Sequence, residues 1–289
     1  MAFESWKPEI IAADVQHELE KSLVYGQDGV INRNYEGDVQ YAKSVRVVGV
    51  GAVTVKDYTQ GQEMAAPETV LDSDMELTID YDKYFNFMIS NKDQAQTRIN
   101  IMSENNRAAA YAIRDAIDQA IAALYVDASA SNLIGSDGAA KVPTTTQSDA
   151  NNIYNLVEDC GIALSNSKVP MEGRWMIVPP AFAGMIRKDL KVAGGMAGTP
   201  TTQQAVLNGT VARLGGFNIL ESHNVPNTAG AKYKILFGTS KAITFASQIS
   251  DVRTMDMEKQ FAKKVDGEYV FGCKVVRPDC LGVMTVSWS

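Results

Sequence analysis

The chain has 289 residues and a formal net charge of −7. Hydrophobic residues make up 45% and charged residues 21%, which excludes a collagen-like, disordered or coiled-coil chain and allows a large core. A pI near 5.0 argues against a protein that works by gripping nucleic-acid phosphates, because that takes a basic face.

The first segment reads as an amphipathic helix. Pro8 suits a first turn, Ile11, Val15, Leu19 and Leu23 recur every four residues, and Gly26 and Gly29 end it. Four turns are not stable alone, so the stripe must dock on something. Next, Val45, Val47, Val50, Val53 and Val55 form a strand-like run bent at Gly49 and Gly51. Met75, Leu77, Ile79 and Tyr81 alternate with Glu76, Thr78 and Asp80, as in a half-buried strand. The two runs flank a polar connection, 56–74, containing Gly61 and Pro67. Together they predict a long two-stranded excursion with an exposed tip. An isolated hairpin is marginal in water, so this one needs a neighbour.

The run Tyr84, Phe85, Phe87, Met88, Ile89 predicts a short buried strand. A long helix is expected at 104–125, capped by Ser103, with Ala109, Ala112, Ile113, Ala116, Ile117, Ala120, Ile121 and Leu124 on one face. Residues 127–149 read as a small, polar linker. A second helix is expected at 151–166, a strand at 174–178, a helix at 181–190 and a flexible loop at 194–200. Strands are expected at 214–220, 234–237, 269–276 and 282–288. The fold class is α+β, without βαβα regularity or internal repeats.

Concentrated chemistry is hard to find. Gly49-Val50-Gly51 opens like a dinucleotide loop, but Thr54 and the lack of a following helix make it a bend in a strand. No phosphate-binding P-loop or G-x-S-x-G elbow occurs. Asp72, Asp74, Glu76, Asp80 and Asp82 raise a divalent-metal site, but a solvated strand face accounts for them better. His17 and His223 are far apart, and Cys160, Cys273 and Cys280 form no C-x-x-C pair. These cysteines read as buried thiols in a reducing compartment. No cofactor is called for. No apolar run reaches the roughly 20 residues of a membrane helix, and 1–9 lacks the pattern of a secretory signal. Extended arms without internal partners point to a protein that buries its surface against copies of itself.

Several segments, taken in order, resemble the major capsid (coat) protein family of tailed bacteriophages, a fold shared with the floor domain of herpesvirus capsids. They begin with Trp6-Lys7-Pro8-Glu9-Ile10-Ile11 and Leu19-Glu20-Lys21-Ser22-Leu23-Val24. Asn34-Tyr35-Glu36-Gly37-Asp38, Val53-Thr54-Val55-Lys56-Asp57-Tyr58 and Leu77-Thr78-Ile79-Asp80 with Tyr84-Phe85-Asn86-Phe87 follow. Asp93 and Gln96 precede the long helix, and Arg174-Trp175-Met176-Ile177-Val178-Pro179-Pro180 comes after it. Further on stand Gly209-Thr210-Val211-Ala212-Arg213-Leu214-Gly215-Gly216-Phe217, Glu221-Ser222-His223-Asn224-Val225-Pro226 and Gly272-Cys273-Lys274-Val275-Val276-Arg277-Pro278. The resemblance covers nearly the whole chain, and the order and spacing of its segments carry it.

The resemblance implies an N-terminal arm at 1–38 and an extended hairpin loop at 39–82. It implies a peripheral domain with a spine helix at 83–130 and 251–289, and an axial domain at 131–250. Its expected function is a non-catalytic shell protein, assembling with itself as pentamers and hexamers into an icosahedral virion capsid around double-stranded DNA. Expected intersubunit contacts are Tyr58, Gln60, Gly61, Glu63, Pro67 and Glu68 at the loop tip, and Trp6, Ile11, Val15 and Leu19 on the arm. No long charged segment precedes Trp6, so a separate scaffolding protein is expected, with a portal and in some cases decoration proteins. Assembly would occur in the host cytoplasm, with DNA enclosed but not bound by sequence, and no membrane involved. Two alternatives stand beside it: a nanocompartment shell of the same fold, and a metal-dependent enzyme using the acids at 72–82.

Overall fold

A computed structural model describes residues 24–35, 44–50, 55, 57, 60–61, 63, 72–90, 101–146, 148–189, 213–228 and 230–288. The expected first helix, up to residue 23, and the loop at 194–200 lie outside these residues.

The central element is a seven-stranded sheet. Its strands are β4 (Leu133–Ile134), β5 (Arg174–Val178), β6 (Arg213–Leu214), β7 (Phe217–Glu221), β8 (Asn227–Thr228), β9 (Lys232–Thr239) and β12 (Leu281–Ser287). The order is β4-β12-β9-β5-β7-β6, with β8 paired to β9. The central strands β5, β9 and β12 are buried on both faces, so they show long buried runs rather than alternation, whereas β7 alternates and β4 and β8 at the margins are partly exposed. On β5, Trp175 and Ile177 enter one cluster, while Met176 and Val178 enter the other. β12 divides likewise, Leu281 and Val283 against Met284 and Val286.

One face is covered by α2 (Ile153–Asn166) and α3 (Pro180–Lys188). Asn152 caps α2 by accepting the Tyr154 N–H at 3.0 Å, and Pro180 opens α3, where its missing N–H costs nothing. Ile153, Leu156, Val157, Cys160 and Leu164 of α2 are all buried, as their spacing predicts. The other face meets the C-terminal half of α1 (Ile101–Ala122) through Ile117 and Ile121. The result is a three-layer core with the sheet in the middle. Arg174 is buried against the end of α2. Its guanidinium donates to the carbonyls of Gly161, Val169 and Pro170 and to the Ser165 hydroxyl at 2.7–3.1 Å, so every nitrogen of the buried cation is hydrogen-bonded.

A second sheet holds β3 (Tyr81–Ser90), β10 (Ile243–Asp256) and β11 (Ala262–Val275) in the antiparallel order β10-β11-β3. A third pairs β1 (Ser44–Val50) with β2 (Asp72–Thr78), from Ser44 opposite Thr78 to Val50 opposite Asp72. The expected hairpin excursion is therefore antiparallel and in continuous register.

Several sequence expectations need correction. The run at 84–89 is a strand but not a buried one. Among the described residues β3 pairs with one strand, β11, and Ile89 is buried while Tyr84 and Met88 are exposed. The long helix begins at Ile101, which places Ser103 inside it rather than at its cap. The α-helix gives way to a 3-10 turn, Ala123–Asp127. Gly215 and Gly216 do not lie inside a strand; both have positive φ (57° and 81°) and form the two-residue turn joining β6 to β7. Residues 127–149 are no free linker: Leu133 and Ile134 pair with β12, and Lys141 bridges Val286. The buried Asn132 amide donates to the carbonyls of Asp279 and Leu281.

Candidate intersubunit surfaces

The hairpin is attached at its root. Leu77 of β2 and Ile79 just after it pack on Ala246, with Val45 and Val270 alongside. Gly272 permits this crossing, because a Cβ there would lie 2.3 Å from the Thr78 carbonyl oxygen. The Lys274 ammonium donates to the Glu76 carbonyl at 2.8 Å, and Thr78 Oγ1 donates to Asp80 at 2.7 Å. Among the described residues, the β1–β2 sheet beyond the root consists of its own two strands. Val55, farther out, is 93% exposed. Of the expected loop-tip residues, Gln60, Gly61 and Glu63 are exposed, and Gly61 has a φ of 92° that suits a turn at the tip. Tyr58, Pro67 and Glu68, and the arm residues Trp6, Ile11, Val15 and Leu19, lie outside the described residues.

On the three-stranded sheet Tyr84, Met88 and Met255 are exposed on one face. Phe261, at the β10–β11 turn, is 92% exposed. On the opposite face, which also carries the exposed Val252, the Phe85 ring lies across Gly267, where a Cβ would sit 2.1 Å from it. Phe85 and Phe87 partly cover that face, and the face with Tyr84 is the more open. Asp82, Tyr84, Asn86, Arg253, Met255, Lys264 and Glu268 line a shallow depression of about 390 Å³ on it. Sequence reading missed β10, although Val252, Thr254 and Asp256 repeat at strand spacing.

Sequence reading also missed Asp118. This carboxylate is 1% exposed on α1. Its Oδ1 accepts the N–H groups of Val24, Tyr25 and Gly26 at 3.0, 2.7 and 3.3 Å, and its Oδ2 accepts the Asn224 amide at 3.0 Å. Burial raises its pKa, and these donors offset part of the rise. The available signal was an acid bordering the apolar stripe, between Ile117 and Ile121.

Catalytic groupings are sparse. Among the described residues, no three His, Cys, Asp or Glu side chains converge on a possible metal position. His223 is exposed in the bend after β7. Burial pushes the Cys273 thiol up to about 12 and the Cys160 thiol well above its usual range, so neither is poised as a nucleophile at neutral pH. None of the described helices is long and apolar enough to cross a membrane.

The seven-stranded sheet is enclosed within the subunit, whereas the hairpin and the three-stranded sheet carry exposed apolar residues. A model of the phage capsid protein family matches residues 75–283, and the chain belongs to that family. A solved chain described as Mycobacterium phage Che8 is 27% identical, with 98% of each chain covered and a TM-score of 0.78. A chain from the capsid of Cyanophage P-SCSP1u is 16% identical, with 96% of this chain and 92% of that one covered and a TM-score of 0.72. One from the capsid of Ralstonia phage GP4 is 12% identical, covering 100% and 98%, with a TM-score of 0.70. No curated protein matches. The protein is a structural major capsid protein, its partner is itself, and its place is the virion capsid.

Proposed function

We propose that the chain assembles as pentamers and hexamers into a closed icosahedral shell around double-stranded DNA, with no catalysis of its own. The observation that carries this reading is the hairpin: two strands in register, rooted at Gly272 and, among the described residues, without a further strand beside them. Such a hairpin is marginal alone, and a neighbouring copy supplies the missing packing. Each contact is weak, and closed symmetric repetition makes the sum strong. The loop-tip residues Tyr58, Gln60, Gly61, Glu63, Pro67 and Glu68 and the arm residues Trp6, Ile11, Val15 and Leu19 make these contacts.

In this reading 1–38 is the arm, 39–82 the loop, 83–130 and 251–289 peripheral, and 131–250 axial. β12 crosses between the last two, since it pairs with β9 and β4. The net charge of −7 fits a container that must not hold its DNA tightly. A scaffolding protein, a portal and decoration proteins are the further partners, and assembly takes place in the host cytoplasm.

Deleting residues 59–70 tests the proposal. The expected product is a soluble subunit with normal circular dichroism that forms no closed shells. Normal shells from this deletion would refute it.

A further inference from the structure

Asp118 stands where three parts of the molecule meet. The first is α1, which carries it. The second is the turn at 24–31, whose Val24, Tyr25, Val30 and Ile31 are buried. The third is the segment after β7, represented by Asn224. Three consecutive backbone N–H groups converging on one oxygen form an anion-receiving concavity, here filled by the protein's own carboxylate. This fixes more than position. One N–H contact would leave the backbone free to rotate about it, whereas three in succession set its direction.

The next residues are held as well. Asn32 N–H donates to the Ile243 carbonyl and Phe245 N–H to the Asn32 carbonyl, at 2.9 and 3.0 Å. The Arg33 guanidinium lies 5.3 Å from the Phe245 ring centre. The chain is therefore stitched to β10 at residue 32, and its upstream end is aimed by Asp118. Asn224 holds the carboxylate from the other side, and its amide also donates to Asp115 at 2.7 Å.

We propose that Asp118 is a positioning residue for assembly: by collecting the N–H groups of Val24, Tyr25 and Gly26, it sets the path by which the preceding arm reaches a neighbouring copy. The proposal rests on the arm's role as an intersubunit contact. It separates two properties that a purely structural residue would not, namely the integrity of the subunit and its competence to assemble.

The test compares Asp118→Ala with Ile153→Ala, a core variant remote from the arm, at a temperature where both are equally folded. Hydrogen exchange at the amides of residues 24–26 should accelerate roughly ten- to hundred-fold in D118A, the effect of losing a hydrogen bond to a charged group, and should stay near wild type in I153A. Shell yield should fall at least about tenfold in D118A relative to I153A, given loss of interactions of this size at every copy. Equal yields from the two variants would overturn the proposal. If D118A fails to fold, D118N takes its place. Asn keeps an oxygen for the three N–H groups but sets an NH₂ against the Asn224 amide, so a smaller loss in the same direction is expected, and wild-type yield would count against the proposal. Deleting residues 1–23 separates the two readings. Loss of shells on deletion with normal shells from D118A refutes the latch alone, whereas normal shells on deletion refute the arm's role itself.

Discussion

The seven-stranded sheet and the three-stranded sheet are built by the same chain to opposite ends. The central strands of the first are buried on both faces; Met176, Ile177, Ile235, Leu236 and Phe237 have no exposed surface at all. The second covers one face with Phe85, Phe87 and Val265 and leaves Tyr84, Met88 and Met255 in solvent. One region meets its stability requirement within the subunit. The other, with the hairpin rooted on it, leaves apolar residues exposed among the described residues. If folding rests on the first and assembly on the second, as proposed, substitutions in the two should fail in different ways.

The largest effect should come from the first region. Phe237→Ala empties a position packed edge-on against Phe217 and should cost about 3–5 kcal/mol, measured by urea unfolding, with loss of assembly only as a consequence. Gly272→Val comes next. Its side chain would meet the Thr78 carbonyl, so the hairpin root must shift, at about 1–3 kcal/mol. Shell formation should be lost while the seven-stranded sheet keeps its slow-exchanging amides. If that sheet loosens equally, the two regions are not separable as described.

The outward face gives the sharper contrast. Tyr84→Ser, Met88→Ser and Phe261→Ser should each change subunit stability by no more than about 0.5 kcal/mol, as exposed substitutions do. Shell yield should nevertheless drop in at least one of them. Unchanged assembly in all three would show that this face stays in solvent.

The smallest effect concerns Asp137. The Lys234 ammonium, 2.5 Å away, holds its carboxyl below the usual 3.8. A depressed folded pKa adds stability above the unfolded value, and that stability is lost as pH falls through the folded one. Asp137→Asn should therefore be less stable than wild type by a constant small amount above about pH 5, and the difference should vanish in stronger acid.

Much of this division was legible in the sequence, for physical reasons. Ile153, Leu156, Val157, Cys160 and Leu164 repeat at helical spacing because α2 has one buried face. The two-stranded excursion built on the runs at 45–55 and 75–81 was legible because Leu77 and Ile79 face the root while Glu76, Thr78 and Asp80 alternate with them; that β2 starts at Asp72, inside the expected connection, and that Tyr81 begins a separate strand were not. What sequence could not give was context. Tyr84 to Ile89 reads as buried because apolar runs usually are, yet an edge strand awaiting a partner has the same composition as a core strand. β10 escaped notice because its outer half mixes Val252 and Met255 with Asp251, Arg253 and Asp256, as a solvated edge does. Asp118 was hidden because one acid beside an apolar stripe gives no sign of which backbone amides will reach it from 92 to 94 residues away.

The most direct test of the central claim is negative-stain electron microscopy of the purified full chain, alone and co-expressed with candidate scaffolding proteins. Uniform hollow shells in either preparation are the predicted result, and shells only in the second would identify a scaffold. A monodisperse monomer under every condition would contradict the claim and leave the projecting hairpin and the uncovered sheet without a purpose.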